Sequence, residues 1–360
     1  MRPKSNSLLA ERTWIEVDLG ALLGNARTVA QCSRARLLPM VKANAYGLGA
    51  VRIARSLEAL EPWGFGVATP EEGTELRAAG ITRPVLVFSM VTAALGTAAE
   101  YGLTPVLDAI EQVHAWRALA ADRPFHVQVD SGMGRAGIWW EAFASHADEL
   151  GAAGGLEGVC THFHSADADP ASVREQWARF QAALGALRRR PALVHAANSA
   201  AALRHPETAA DLVRPGIFLY GGDVGADVRP RPVATWRARV LDVKWREAGA
   251  TVSYDATYVT PRRTCLTTLA AGYADGYPRA LSSRGDVLIG GRRLRIAGLV
   301  TMDMIVVADH EWAPEPDAVA TLVGSDGDDE ITLDSFAAAA GTISYDVLTG
   351  LGPRVLRVYG

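Results

Sequence analysis

Lys42 follows the apolar run Leu37–Val41 and sits in Val41–Gly49, Val-Lys-Ala-Asn-Ala-Tyr-Gly-Leu-Gly. A lysine at the end of an apolar strand is partly desolvated, which lowers its pKa and suits the amine to Schiff-base chemistry. Taken alone, such a lysine is as well explained by a stem lying along apolar surface with its ammonium in water. Its company argues for more, because polar groups recur at the ends of other apolar runs. Asp130 and Arg135 fall in Val-Asp-Ser-Gly-Met-Gly-Arg, His162 and His164 in the Thr-His-Phe-His that starts at Thr161, Asn198 and Ser199 just beyond His195, and Arg214 before Pro215 and Gly216. Ser199 offers a hydroxyl, and the Gly216 and Ile217 amides offer two N–H donors, a set suited to a phosphate. A serine after an asparagine is by itself more often a helix cap. An imine-forming amine together with phosphate donors points to a phosphorylated aldehyde cofactor.

These groups need a frame that brings strand ends together. Eight apolar, β-type runs are spaced along the first two thirds of the chain: Leu37–Val41, Gly64–Ala68, Val85–Phe88, Thr104–Leu107, Phe125–Val129, Leu156–Thr161, Leu193–His195 and Leu212–Arg214. Segments with helical spacing lie between them, among them Val51–Leu60, Pro70–Ala79, Glu111–Ala121 and Pro170–Arg190. This α/β alternation fits a (β/α)8 barrel, whose catalytic groups gather at the C-terminal strand ends and whose phosphate sites use the loops after strands seven and eight. A doubly wound open sheet is the alternative. The pattern changes near Pro232. Beyond it come the β-type runs Ala234–Val243, Cys265–Leu269, Asp286–Ile289, Leu294–Leu299 and Ala318–Val323, then a helical stretch at Ser335–Ala340. The expected organisation is a cofactor-binding (β/α)8 barrel over residues 1–232 and a smaller, mostly-β domain over 233–360. The extreme N-terminus is a candidate to pair with the second domain.

Composition excludes several functional classes. A formal net charge of -4 gives no global attraction to nucleic acid or an anionic membrane. No apolar run reaches transmembrane length and no signal segment opens the chain, so a cytoplasmic setting is expected. The cysteines, Cys32, Cys160 and Cys265, are too few for a disulfide framework, and none has the C-x-x-C spacing of a structural zinc site. No metal is expected.

The ordered set of motifs resembles the alanine racemases, barrel-type (fold-type III) pyridoxal-phosphate enzymes, almost end to end. Val-Lys-Ala-Asn-Ala-Tyr-Gly is similar to the family's cofactor-lysine motif, Asp130–Gly137 to its Asp-Ser/Thr-Gly-Met-Gly-Arg-x-Gly motif, and Val213–Gly221 to Arg-Pro-Gly-x-x-x-Tyr-Gly. In the second domain, Ser253–Tyr258, Gly272–Gly276, Met302-Asp303 and Thr342–Tyr345 resemble further signatures. The resemblance implies pyridoxal 5'-phosphate as cofactor and a small amino acid as substrate, most simply L-alanine converted to D-alanine for peptidoglycan. It also implies a homodimer whose active sites are shared between subunits, with no nucleic-acid or membrane partner. By the same resemblance Lys42 and Tyr254 are the two catalytic bases, Tyr254 reaching the site from the other subunit. Lys42, Tyr46, His162, Asn198, Ser199, Arg214, Gly216, Ile217 and Tyr345 hold the cofactor, and Arg135 and Met302 meet the substrate. His162, backed by Arg214, resembles the partner chain that a tyrosine base needs, since a phenol ordinarily titrates near pH ~10. Arg214 resembles the group facing the pyridine nitrogen, which a guanidinium leaves unprotonated. Asp303, Tyr273 and Tyr345 shape the entrance.

The chain departs from the family at four places. Gln128 stands where many relatives carry a carbamylated lysine, so another group, with a bound chloride as one option, must hold Arg135. Leu48 replaces the usual histidine, Asp255 stands where glycine is common, and Thr301 where cysteine is common. A carboxylate beside Tyr254 puts strict alanine specificity in question and leaves open a broader racemase acting on serine or a basic amino acid. An amino acid decarboxylase of the same fold type is the remoter enzyme alternative. A non-catalytic cofactor-binding protein is the alternative from another class.

Overall fold

The computed structural model describes residues 11–315 and 317–360. They form two compact units. One comprises Leu23–Leu219 with Asp223–Pro230, and the other takes the chain up to Leu22, Tyr220–Gly222 and Arg231–Gly360.

The first unit is built on eight parallel strands, each hydrogen-bonded to the next in chain order: Arg36–Leu37, Phe65–Val67, Val85–Val87, Thr104–Leu107, Phe125–Asp130, Leu156–Cys160, Leu193–Asn198 and Leu212–Arg214. The last strand pairs with the first through Leu212 and Val213. The first meets the second through a Met40–Gly66 bridge, with the Val41 amide on the Gly66 carbonyl at 2.8 Å and the Gly66 amide on the Pro39 carbonyl at 2.9 Å. Those contacts close the ring, so the open-sheet alternative gives way to a barrel. Leu38, Leu86, Val106, Cys160, Leu193 and Leu212 fill one level of its core, the layered apolar packing such barrels require. Local chemistry starts the surrounding helices where the sequence marks them. Thr69 and Glu72 form a capping box on Pro70–Ala78, and Asp169 caps Pro170–Gly185, each helix carrying its proline in the first turn. The second of these helices stops at Gly185, short of the expected Arg190.

The second unit is dominated by a nine-stranded sheet in the order Asp329–Ile331, Val319–Asp326, Asp286–Ile289, Arg292–Ile296, Ile305–Asp309, Thr264–Leu269, Ala234–Arg246, Thr13–Val17, Leu356–Tyr359. Ala234–Arg246 also pairs with Val319–Asp326, closing six of the strands into a ring. Thr13–Val17 pairs antiparallel with Ala234–Ala238, and the C-terminal strand lies parallel on its other side. Trp236, Tyr277 and Phe336 stack around one another with ring centroids 5.4–6.2 Å apart. The expected Leu294–Leu299 strand ends at Ile296, because the chain turns at Gly298, where φ is 83°. Strand Ile305–Asp309 and helix Ser344–Thr349 are additional to the sequence reading. Among the described residues no helix is long and apolar enough to cross a membrane.

Candidate active site

Lys42 begins a turn of unusual hand. Ala43, Asn44, Ala45 and Tyr46 all have φ between 51° and 55°, a complete left-handed helical turn of L-residues. Such a conformation costs about 1–2 kcal/mol per residue, hence about 4–8 kcal/mol for four. It persists because it is pinned from several directions. Within the turn, the Ala45 amide donates to the Val41 carbonyl at 2.8 Å and the Gly47 amide to the Ala43 carbonyl at 2.8 Å. The Asn44 side-chain oxygen accepts from the Ala50 amide at 2.8 Å, and a Glu72 carboxylate oxygen accepts from the Ala43 amide at 2.6 Å. Gly47 and Gly49, with φ of 81° and 98°, let the chain leave this conformation without further strain.

The turn buries Tyr46 against the opposite strand ends. A Cβ at Gly216 would land on the Tyr46 hydroxyl, so the absence of a side chain there is what lets that hydroxyl pack against the Gly216 backbone. Ser199 Oγ lies at the same place, accepting from the Gly216 amide at 2.8 Å. Ser199 begins the helix Ser199–Arg204, which Asn198 caps through its side-chain oxygen on the Ala201 amide at 3.0 Å. Tyr46, Ser199, Gly216 and the Ile217 that begins a short 3-10 turn thus converge at the ends of strands one, seven and eight. The set consists of hydroxyls and amides with no carboxylate in it, which is what a phosphate dianion requires.

Arg214 ends the eighth strand and is 5% exposed. Its Nη1 donates to His195 Nδ1 at 2.8 Å and to the His195 carbonyl at 2.9 Å. Its Nη2 donates to the Thr161 carbonyl at 2.6 Å, the Ala196 carbonyl at 3.0 Å and His162 Nδ1 at 3.1 Å. The Nη hydrogens are therefore committed inside the barrel, and Nε–H is the donor left for a ligand. Because a guanidinium only donates, it dictates the protonation of everything beyond it. His195 Nδ1 must accept, so His195 carries its proton on Nε2 and gives it to His126 Nδ1 at 2.8 Å. His126 in turn carries its proton on Nε2, which points at the Glu157 carboxylate at 3.3 Å. A cation at one end and an anion at the other thus fix the tautomers of two neutral imidazoles. The His126 ring occupies space left by Gly158, where a Cβ would collide with it.

Burial and charge shift the titratable groups in one direction. Burial pushes Lys42 below the usual amine range, Arg135 and Arg214 add to the effect, and Glu72 opposes it. Burial takes His162 down to about 3, helped by the positive charges of Arg214, Arg135 and Lys42. His195 lies well below its ordinary value, through burial first and Arg214 next. The mutual influence of Lys42, His162, Arg135 and Arg214 places all four around one barrel mouth.

Arg135 lies on a loop shaped by Asp130, whose Oδ1 accepts from the Gly132 and Gly134 amides at 2.9 and 3.1 Å. Gln128 does not leave this loop unsupported. Its side-chain amide donates to the Ala136 carbonyl at 2.8 Å, bracing the backbone next to Arg135. Asp108, at the end of the fourth strand, has one carboxylate oxygen buried without a partner; burial raises its pKa to about 6 and Arg135 opposes the shift.

Tyr254, Met302 and Tyr345 belong to the second unit and are exposed, at 69%, 52% and 43%. Tyr254 sits in a turn in which Ser253, Asp255 and Ala256 all have positive φ. Asp255 at φ 58° occupies a conformation that glycine adopts freely and aspartate tolerates. Thr301 closes the loop before Ile305–Asp309, its hydroxyl donating to the Met304 carbonyl at 2.7 Å. Arg354 joins Asp303 at 2.8 Å to Asp275 at 3.1 Å.

The sequence reading did not single out Glu72, Asn44, His126, Glu157 or Asp108. Glu72 carries a legible mark, the Thr-x-x-Glu capping box, but the box alone says nothing of its reach to Ala43. His126 and Glu157 lie mid-strand and at a strand start, and no spacing rule pairs them.

Comparison with known proteins gives one consistent answer. Residues 17–224 match the alanine racemase N-terminal domain model and residues 233–359 the alanine racemase C-terminal domain model. The alanine racemase of Symbiobacterium thermophilum is 42% identical over 367 residues, covering 97% of each chain. The crystal structure of alanine racemase from E. faecalis superposes with a TM-score of 0.91 at 33% identity, covering 97% of this chain and 98% of that one. A structure of the Bartonella henselae enzyme with covalently bound pyridoxal phosphate also gives a TM-score of 0.91, at 30% identity, covering 97% of this chain and 99% of that one.

Proposed function

The chain belongs to the alanine racemase family, and from that premise we propose that it interconverts L- and D-alanine with pyridoxal 5'-phosphate carried on Lys42. The observation that carries the reading is the coincidence, at one barrel mouth, of a depressed lysine, a buried donor-only arginine and a carboxylate-free phosphate cradle. The donor set passes a chemical test of fit, since Gly216, bare of a side chain, admits the Tyr46 hydroxyl against its backbone and bonds Ser199 Oγ through its amide, which brings two hydroxyls and the backbone N–H groups together.

Ser199, Tyr46 and the Gly216 and Ile217 amides would hold the phosphate, with Asn198 keeping the Ser199 helix in place. Arg214 Nε would face the ring nitrogen. When bound, the cofactor supplies an electron sink that makes the substrate Cα proton removable. Lys42 Nζ, its pKa lowered by burial and by two neighbouring cations, is fit to take that proton on one face. Tyr254 Oη, reaching in from a second copy of the chain in a homodimer, is fit to serve the other face. His162 stays neutral at any working pH and presents an imidazole to the phenol without competing for its proton. Arg214 keeps its own proton and does not protonate the ring nitrogen, which restrains carbanion stability and side reactions such as transamination. Arg135 meets the substrate carboxylate. The three cysteines are free, as suits the reducing cytoplasm.

The test is a chiral assay on L-alanine, with L-serine, L-lysine and L-arginine alongside, with and without added cofactor, and with borohydride reduction to mark the cofactor-bearing residue. Production of D-alanine and cofactor mass on Lys42 are expected. Release of carbon dioxide, or turnover of lysine in preference to alanine, would replace the reading with the decarboxylase or the broader racemase.

A further inference from the structure

Of the amides in the left-handed turn beside Lys42, the one at Ala43, the first left-handed residue, is held from outside. Gly47, Leu48 and Gly49 donate to carbonyls of the turn itself, and Ala45 to the Val41 carbonyl just before it. Ala43 donates to Glu72 Oε1 at 2.6 Å, while Oε2 of the same carboxylate accepts from the Ala68 amide at 2.7 Å and the Thr69 amide at 3.3 Å. Ala68 and Thr69 immediately follow the second barrel strand, Phe65–Val67. One side chain thus ties the strained segment after strand one to the end of strand two. A carboxylate suits the task because both of its oxygens accept. A capping box needs only the Thr69 bond, which is the longest of the three, so helix capping alone does not account for the side chain's placement. Its charge also lies close enough to Lys42 to oppose the effects of burial and of Arg135.

Resting on the assignment of Lys42 as the cofactor lysine, we infer that Glu72 is a positioning residue whose carboxylate clamps the Ala43 amide to the end of strand two and so holds the turn that presents the lysine. Two variants separate its reach from its charge. Glu72→Gln keeps the length but loses the charge and one acceptor. Glu72→Asp keeps the charge but is one methylene too short to serve both sides.

Three readouts bear on the inference: amide hydrogen exchange over Ala43–Gly49 in the cofactor-free protein, the midpoint pH at which the free Lys42 amine reacts with acetic anhydride, and kcat and KM for alanine in the holoenzyme. Exchange at Ala43 should quicken at least ~10-fold in both variants, the increase expected from losing a charge-assisted hydrogen bond. The Lys42 midpoint should fall in Glu72→Gln and stay in place in Glu72→Asp. In both, kcat should drop ~10-fold or more while KM moves less than about twofold, the signature of a displaced group acting after substrate binds. Exchange within twofold of wild type in Glu72→Asp overturns the clamp, and this variant carries the test if Glu72→Gln does not fold. A wild-type protein that never carries cofactor on Lys42 overturns the function and leaves the exchange result to judge the clamp by itself.

Discussion

His195 provides the sharpest check on the buried chain, because its protonation is deduced and not seen. If Arg214 forces an acceptor at Nδ1 and His126 receives the Nε2 proton, then His195→Gln preserves both bonds, with the amide oxygen facing Arg214 and the amide nitrogen facing His126. What glutamine removes is the ability to titrate. The native imidazole is held well below its ordinary 6.5 by burial and by Arg214. In the unfolded chain it takes a proton as pH falls through 6.5, so the unfolded state binds more protons and stability falls with pH below that point. Each such proton is worth about 1.4 kcal/mol per pH unit, or about 2 kcal/mol between pH 6.5 and 5. Urea unfolding of wild type and His195→Gln, side by side at pH 7 and pH 5, should show the two within ~1 kcal/mol at pH 7. At pH 5 the variant should have gained about 2 kcal/mol relative to wild type. His126 behaves in the same direction in both proteins and cancels. His195→Phe, which strands the Arg214 donor and the His126 acceptor, should lose about 3–5 kcal/mol at pH 7. Parallel acid profiles for wild type and His195→Gln, or a loss at pH 7 as large in glutamine as in phenylalanine, would refute the tautomer assignment.

Other outcomes follow from the same structure. Lys42→Ala should lose the borohydride-fixable cofactor and at least ~10³-fold in racemase activity, read by mass spectrometry and chiral chromatography. Tyr254→Phe should lose about 10²–10⁴-fold, and more in one direction than the other, seen as solvent deuterium entering one enantiomer preferentially; equal losses count against two bases. Gly216→Ala, whose methyl falls on the Tyr46 hydroxyl, should weaken pyridoxal-phosphate binding by ~10-fold or more in a fluorescence titration while leaving the barrel folded. Asp108, raised to about 6 by burial, binds a proton more tightly when folded. Its contribution is therefore present at low pH and is lost as pH rises from about 4 to about 6, opposite in sign to His195. Asp108→Asn should remove that slope, which urea midpoints at pH 4.5 and 6.5 measure.

The amino-acid sequence by itself determined the kind of molecule and the parts list. Alternating apolar runs and helical stretches up to residue 214 prescribe a β/α frame, because strands buried on both faces read as continuous apolar runs. Lys42, Arg135, His162, Ser199 and Arg214 announce themselves as polar groups at the ends of such runs, and the change of pattern near Pro232 marks the second, β-rich architecture. Closure of the barrel was left to the tertiary structure, since a handful of hydrogen bonds at Leu37–Val41 and Gly66 separates a ring from an open sheet. So were the left-handed turn at Ala43–Tyr46, the reach of Glu72 across to it, and the run from Arg214 through His195 and His126 to Glu157. Each joins residues that are 19 to 69 positions apart or lies in a conformation with no local preference in its favour. Local propensity reports what a segment does alone, whereas a buried donor finds its acceptor only when the folded chain has excluded water and left no other partner.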